Sequence, residues 1–182
     1  MQYKTTLMDE TAMERTLRRL SHEIAEKNHG VEDVCLVGIL RRGVPLARRL
    51  AEMICRNENV NVPVGMLDIT LYRDDISETA DHAVLNGTEI PFSIEGKVVV
   101  LVDDVLFTGR TVRAAMQAVI GLGTPSAVQM CAFVDRGHRE LPICANYIGK
   151  NFPTARSEMI RVCVPEYDGC MKVDLYGVSA DE

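Results

Sequence analysis

Val98-Val99-Val100-Leu101-Val102-Asp103-Asp104-Val105-Leu106-Phe107-Thr108-Gly109-Arg110-Thr111 runs from an unbroken aliphatic stretch into two acids and then a Thr-Gly-x-Thr turn. An aliphatic run bounded by polar residues is the pattern of a parallel strand buried on both faces. The next segment, Thr111 to Leu122, carries Val112, Ala115, Met116 and Val119 at helical spacing. The turn therefore sits at a helix N-terminus, where unpaired N–H groups and the helix dipole favour an anion. Thr108 and Thr111 add hydroxyl donors, so a phosphate monoester fits. Asp103 and Asp104 cannot bind phosphate themselves, and side by side they repel unless ribose hydroxyls or a hydrated Mg²⁺ engage them. The stretch reads as a phosphosugar site; the plain alternative is a strand-to-helix turn capped by Asp and Thr side chains.

Working outward, the pattern predicts a helix over Asp9–Asn28, a strand over Val34–Leu40, a helix over Pro45–Arg56 and a strand over Val64–Leu71. A polar loop from Tyr72 to Thr88 follows. The strand at Val98–Val102, the helix at Thr111–Leu122 and a strand at Ala127–Val134 come next. An irregular tail with short strands near Ile160–Val164 and Val173–Tyr176 completes the reading. Strands alternating with helices imply an α/β fold with a parallel sheet covered on both faces. In such sheets ligands lie at the carboxyl ends of the strands, near the point where strand order reverses. Arg41-Arg42-Gly43, Asp103 to Thr111 and Asp135-Arg136-Gly137 all fall at such ends, which makes one composite site plausible.

The chain has 182 residues, enough for one domain with a full core, and a net charge of −6, which argues against a wholly basic nucleic-acid binder. No run approaches the length of a membrane span, and the polar start Met1-Gln2-Tyr3-Lys4 does not resemble a signal peptide, so a cytoplasmic location is expected. The six cysteines are scattered and form no CxxC pair, which suits buried free thiols better than disulfides or zinc.

Leu40-Arg41-Arg42-Gly43 precedes a helix with Pro45 in its first turn, so it offers a second anion-binding helix start. Taken alone, it is also what a surface turn with two solvated arginines looks like. The loop from Tyr72 to Thr88 is long enough to act as a lid, and it carries Arg73, Asp74 and Asp75.

The hydrophobic strand, Asp-Asp pair and Thr-Gly-x-Thr turn resemble the ribose-phosphate loop of type I phosphoribosyltransferases, which bind 5-phosphoribosyl 1-diphosphate (PRPP). No Gly-Lys-Ser/Thr follows, so this is not a Walker loop, and there is no GxGxxG turn. Longer blocks narrow the resemblance: Asp68-Ile69-Thr70-Leu71-Tyr72-Arg73-Asp74-Asp75, Val102 to Arg113, Val134-Asp135-Arg136-Gly137-His138-Arg139-Glu140-Leu141-Pro142 and Tyr147-Ile148-Gly149-Lys150-Asn151. Together they are similar, almost end to end, to the bacterial bifunctional pyrimidine operon regulators that are also uracil phosphoribosyltransferases.

That resemblance implies the type I phosphoribosyltransferase fold: a single domain over 1–182, a lid over about 72–88 and a small hood over about 152–182. It implies Mg²⁺-dependent conversion of uracil and PRPP to UMP and pyrophosphate, with UMP-responsive binding to the leader mRNA of a pyrimidine operon. Arg41, Arg42 and Gly43 match the pyrophosphate loop. Asp103, Asp104, Val105, Leu106, Phe107, Thr108, Gly109, Arg110 and Thr111 match the PRPP loop, and Arg136 matches an active-site arginine. Asp103, Asp104, Arg42 and Arg73 are the expected catalytic groups, with Mg²⁺ reached by the two aspartates mainly through PRPP or water.

Ile160 falls in the hood, where backbone groups can read the uracil edge. Phe107 stands where hypoxanthine and guanine enzymes of this family carry an acid, which favours a pyrimidine. The implied RNA surface uses Arg18, His22, Arg139 and Lys150, with Arg18 replacing a Thr and Cys144 replacing an Arg of better-known members. Losing a guanidinium at position 144 removes a strong phosphate donor. The readings that remain open are the dual-function protein, a salvage enzyme without RNA binding, and a nucleotide sensor with negligible turnover. A homodimer or larger homo-oligomer is expected, with Leu46, Leu50, Met53 and Ile54 as candidate contacts.

Overall fold

The computed structural model describes residues 1–72 and 87–178. Its elements are β1 (Gln2–Met8), α1 (Glu10–Lys27), β2 (Val34–Ile39), α2 (Gly43–Glu58), β3 (Val64–Leu67), a 3₁₀ turn (Thr70–Tyr72), β4 (Val98–Leu106), α3 (Arg110–Leu122), β5 (Ala127–Asp135), β6 (Tyr147–Asn151), β7 (Glu158–Cys163), α4 (Pro165–Asp168) and β8 (Lys172–Gly177). Five strands form one sheet in the order β3-β2-β4-β5-β6, and three form a second in the order β1-β8-β7. All pairings in the larger sheet are parallel, and both in the smaller are antiparallel.

The larger sheet is buried on both sides because successive side chains of a strand point to opposite faces. Val34 and Leu36 of β2, with Val100 and Val102 of β4, join the core under α1 and α2; Cys35, Val37 and Ile39, with Val99 and Leu101, join the core under α3. α1 begins at Asp9, whose carboxylate accepts the Ala12 N–H at 2.8 Å, and ends with Lys27 in its last turn. Both features suit the helix dipole. Its Met13, Leu17, Leu20 and Ile24 are buried. At 20–30 cal/mol per Å², such side chains contribute about 2 kcal/mol each to folding.

Several sequence expectations are corrected. β4 extends to Leu106, so Asp103 and Asp104 lie within the strand and not in a loop beyond it; pairing with β5 continues as far as Leu106 opposite Asp135. The Val64–Leu71 strand stops at Leu67, because the Asp68 carboxylate accepts both the Thr70 N–H (2.9 Å) and the Thr70 hydroxyl (2.6 Å) and turns the chain. The hood is not wholly C-terminal, since β1 adds itself to β8. Leu46, Leu50 and Ile54 of α2 are fully buried within the chain's own core, which leaves them unavailable as subunit contacts. Residues 73–86, which include Arg73, Asp74 and Asp75 of the expected lid, lie outside the described residues.

All six cysteines are free, with Cys35, Cys131 and Cys163 buried and Cys144 exposed. Burial pushes the Cys35 thiol up to about 11 and the Cys131 thiol to about 12. Among the described residues, no helix is long and apolar enough to cross a membrane.

Candidate active site

In the larger sheet β3 lies on one side of β2 and β4 on the other, so strand order reverses between β2 and β4. The carboxyl ends of these strands splay connections to opposite faces and leave a crevice there. A cavity of about 520 Å³ occupies it, lined by Leu40, Arg41, Asp68, Ile69, Thr70, Asp103, Asp104, Val105 and Thr111. Two helices start at its rim. α2 begins at Gly43, whose backbone lies so close to β4 that a Cβ there would sit 2.2 Å from the Val102 carbonyl oxygen. α3 begins after Gly109, whose φ of 92° is a left-handed conformation natural to glycine. Neither N-cap residue closes its helix with a side chain, although the Val44 N–H of α2 reaches the Arg41 carbonyl and the Arg110 N–H of α3 the Thr108 hydroxyl, both at 3.4 Å.

The Thr108–Gly109 turn is braced from behind. Glu140 N and Leu141 N donate to the Thr108 carbonyl at 3.0 and 3.1 Å. The Arg110 N–H leans on the Thr108 hydroxyl at 3.4 Å, and the Arg110 guanidinium pairs with Glu140 at 2.9 Å. The segment 137–143 thus holds the turn in shape, with its carbonyls engaged outward.

Asp103 is buried and Asp104 half-buried. Asp103 accepts the Asp104 N–H at 3.0 Å, and Asp104 accepts the Val105 N–H at 2.9 Å. Burial raises the Asp103 carboxyl well above the ordinary range, and the Asp104 charge adds to this. Burial also raises Asp104, against the opposing influence of its hydrogen bond with Asp103 and the Arg42 charge. A pair so placed gains from any ligand that brings hydroxyl donors or positive charge.

The donor set bears on Mg²⁺. Among the described residues no group of three or more His, Cys, Asp or Glu side chains is arranged to hold a metal. Two adjacent carboxylates facing an open cavity do suit Mg²⁺, which keeps most of its waters and is bound through one or two carboxylates together with substrate phosphates.

Of the residues expected in the site, Arg41, Asp103, Asp104, Val105 and Thr111 line the cavity. Arg42 does not: its Nε and Nη2 donate to Asp168 at 3.1 and 2.8 Å, which turns it toward the hood. Leu106 is core. Phe107 is partly exposed, with the Arg136 guanidinium 4.1 Å from its ring centre and His138 edge-on at 5.9 Å. Arg136 is buried and spent on the hood, donating to Thr154 Oγ1 (3.0 Å) and to the carbonyls of Ala155 (3.1 Å) and Glu158 (2.6 Å). Ile160 is buried within β7 of the hood itself.

Asp68, Ile69 and Thr70 also line the cavity but were given no role from the sequence; their place just past the carboxyl end of β3 was the available signal.

The expected RNA residues divide. Arg18 and His22 are exposed on α1, and Lys150 is exposed on β6. His22 Nε2 lies 3.3 Å from Asn57 Nδ2. Arg139 turns inward: it pairs with Asp135 and donates to the carbonyls of Ile143 (3.0 Å), Leu106 (3.4 Å) and Phe107 (2.6 Å). A guanidinium so engaged by its own loop has few donors left over for phosphate.

A family model for the phosphoribosyl transferase domain matches residues 4–163. Among similar proteins, the bifunctional protein PyrR of Clostridium novyi is 56% identical over 168 residues, which cover 92% of this chain and 94% of that protein. The protein of the same name from Clostridium perfringens is 53% identical over 176 residues, covering 97% of this chain and 99% of its own. The hypoxanthine phosphoribosyltransferase of Trypanosoma cruzi superposes with a TM-score of 0.73 at 17% identity, covering 97% of this chain and 98% of that one. The latter establishes a shared fold, that of the type I phosphoribosyltransferases.

Proposed function

The chain belongs to the phosphoribosyl transferase family and, within it, to the bifunctional PyrR proteins, and on that premise we propose that it converts uracil and PRPP to UMP and pyrophosphate and binds pyrimidine-operon leader RNA in response to UMP. The observation that carries the enzymatic half is the convergence, on one cavity at the strand-order switch, of an acidic pair, an uncapped helix start with threonine donors, and Arg41.

Each part has a chemical task. The α3 N-terminal N–H groups and the Thr108 and Thr111 hydroxyls hold the 5′-phosphate. Asp103 and Asp104 accept from the ribose diol, which fixes the anomeric carbon over the cavity. Arg41 and the start of α2 face the diphosphate, whose negative charge grows as the C1′–O bond breaks. Mg²⁺, when bound with PRPP, neutralises part of that charge. Uracil N1 forms the new bond to C1′ as the C1′–O bond to the diphosphate breaks, and the N1 proton passes to the departing pyrophosphate or to water. No protein nucleophile is needed; positioning and electrostatics supply the rate. Phe107 and Ile160 bound the base side, and Arg136 sets the hood above it from behind. Arg73, which lies outside the described residues, is the group the family resemblance gives for adding charge to the leaving group.

The RNA half rests on Arg18, His22 and Lys150, a sparse set of donors in a chain whose net charge is −6. Phosphate contacts from these side chains would position the RNA, and unpaired loop bases would give specificity. The folded-in Arg139 and the exposed Cys144 favour weaker RNA binding than a fully basic face would have. The test is uracil-dependent pyrophosphate release from PRPP, alongside binding of a leader hairpin with and without UMP at stated salt. UMP-enhanced, salt-sensitive binding with turnover is expected; turnover without binding would leave a salvage enzyme.

A further inference from the structure

Arg42 stands at the N-cap of α2 with helical backbone angles and no side-chain cap, so its own hydroxyl-free side chain does nothing to close the helix start. What fixes it comes from another part of the fold. Asp168, at the end of α4 in the hood hairpin, takes Arg42 Nε and Nη2 at 3.1 and 2.8 Å, a two-point contact. The same carboxylate accepts Arg161 Nη2 at 2.8 Å and the Val164 N–H at 3.0 Å. Its side chain is only 4% exposed, and it does not line the cavity. Next to it, Glu166 pairs with Arg49 of α2 at 2.6 Å, so a four-residue helix grips the first two turns of α2 through two ion pairs.

We propose that Asp168 is a positioning residue for the diphosphate end of PRPP: by holding Arg42 toward the hood, it leaves Arg41 lining the cavity just before α2. The arrangement rests on the assigned transferase activity. Gly43 allows the helix start to touch β4, and the Arg42–Asp168 fork sets the direction in which that start points. A bidentate guanidinium–carboxylate contact fixes orientation as well as distance, which a single ammonium contact does not. Arg161 donates from β7 to the same Asp168 oxygen that Arg42 Nη2 uses, and it does not line the cavity, so it anchors Asp168 from the hood side.

The test compares Asp168→Asn, Arg42→Lys, Arg161→Gln and the double variant Arg42→Lys/Asp168→Asn, measuring KM for PRPP, KM for uracil, inhibition by pyrophosphate and melting temperature. Asp168→Asn and Arg42→Lys are expected to raise the PRPP KM and the pyrophosphate inhibition constant roughly tenfold, the size of one weakened charge-assisted contact. KM for uracil should stay as in the wild type. The double variant should be no worse than the worse single one, since both act through one contact. Arg161→Gln should lower melting temperature without moving the PRPP KM. An unchanged PRPP KM in Asp168→Asn, an equal rise in Arg161→Gln, or additive effects in the double variant would each overturn the proposal. Should Asp168→Asn not fold, an unchanged PRPP KM in folded Arg42→Lys overturns it as well. A wild-type protein without turnover would instead remove the assigned activity, and the proposal with it.

Discussion

The Arg136 guanidinium lies 4.1 Å from the centre of the Phe107 ring while it donates to Thr154, Ala155 and Glu158 at the foot of the hood. One side chain therefore joins the segment after β4 to the start of the hood. Replacing Arg136 with Met keeps bulk but leaves the part-buried Ala155 and Glu158 carbonyls short of a donor and removes a buried guanidinium. The expected cost is about 3 kcal/mol of stability, together with a higher KM for uracil than for PRPP. Denaturant unfolding and the two KM values check this; equal changes in both KM values would show that Arg136 does not set the hood alone.

Asp103 is buried with a like charge beside it, and that burial raises its carboxyl. A group raised in the folded state contributes stability at low pH that is lost as pH rises through its folded value, so ionising Asp103 weakens the ligand-free fold. Asp103→Asn removes that charge while the side-chain oxygen can still accept the Asp104 N–H. The ligand-free variant should melt several degrees higher than the wild type and yet lose most turnover. A lower melting temperature would contradict the electrostatic reading.

The opposite sign holds at Asp168. Its hydrogen bonds from Arg42 hold its carboxyl well below the ordinary range, against the effect of burial, with Arg161 and the Val164 N–H adding to the depression. Stability from such a group is fully present above the unfolded carboxylate value and is lost as pH falls toward the folded one. Acid should therefore destabilise the wild type more steeply than Asp168→Asn below about pH 4. Melting curves across acid pH test it, and parallel curves would remove Asp168 as a source of acid lability.

Cys144 is exposed on the segment expected to face RNA. Cys144→Arg should tighten leader-RNA binding and steepen its salt dependence by up to about one unit of log–log slope. Lys150→Ala and Arg18→Ala should do the reverse, with little change in turnover. Gel-shift titrations at two or more salt concentrations, in the presence of UMP, provide the comparison.

The parallel sheet and its ligand end were legible because β2, β4 and β5 are near-continuous aliphatic runs, and because Gly43 and Gly109 punctuate the turns that follow. The limits of β4 were not. Asp103 and Asp104 look like loop residues by composition, yet the ladder to β5 carries them within the strand. β1 escaped because its alternating signal is weak, with an exposed face and two register shifts against β8. It is held there by contacts distant in sequence, among them Thr6 to Asp174 at 2.7 Å and Lys4 to Glu158 at 2.8 Å. The arginines were the hardest to read. Arg42, Arg136 and Arg139 were each expected to meet a ligand, and each is engaged by the protein itself. Sequence shows that a guanidinium is present near a site, but the choice between ligand and scaffold depends on carbonyls and carboxylates brought in from far along the chain.

β1 has a single strand neighbour, β8, with Gln2 opposite Gly177. Among the described elements the first to leave the ribosome must therefore wait for the last before it can pair. The five-stranded sheet, whose strands are all present once β6 has emerged, can pair before the smaller sheet, which closes only after β8 is made. In the nascent chain the strand bearing Asp103 and Asp104 therefore finds its neighbours first, while the Arg42–Asp168 contact and the partner of β1 arrive last, so a chain stopped before β8 would leave β1 unpaired.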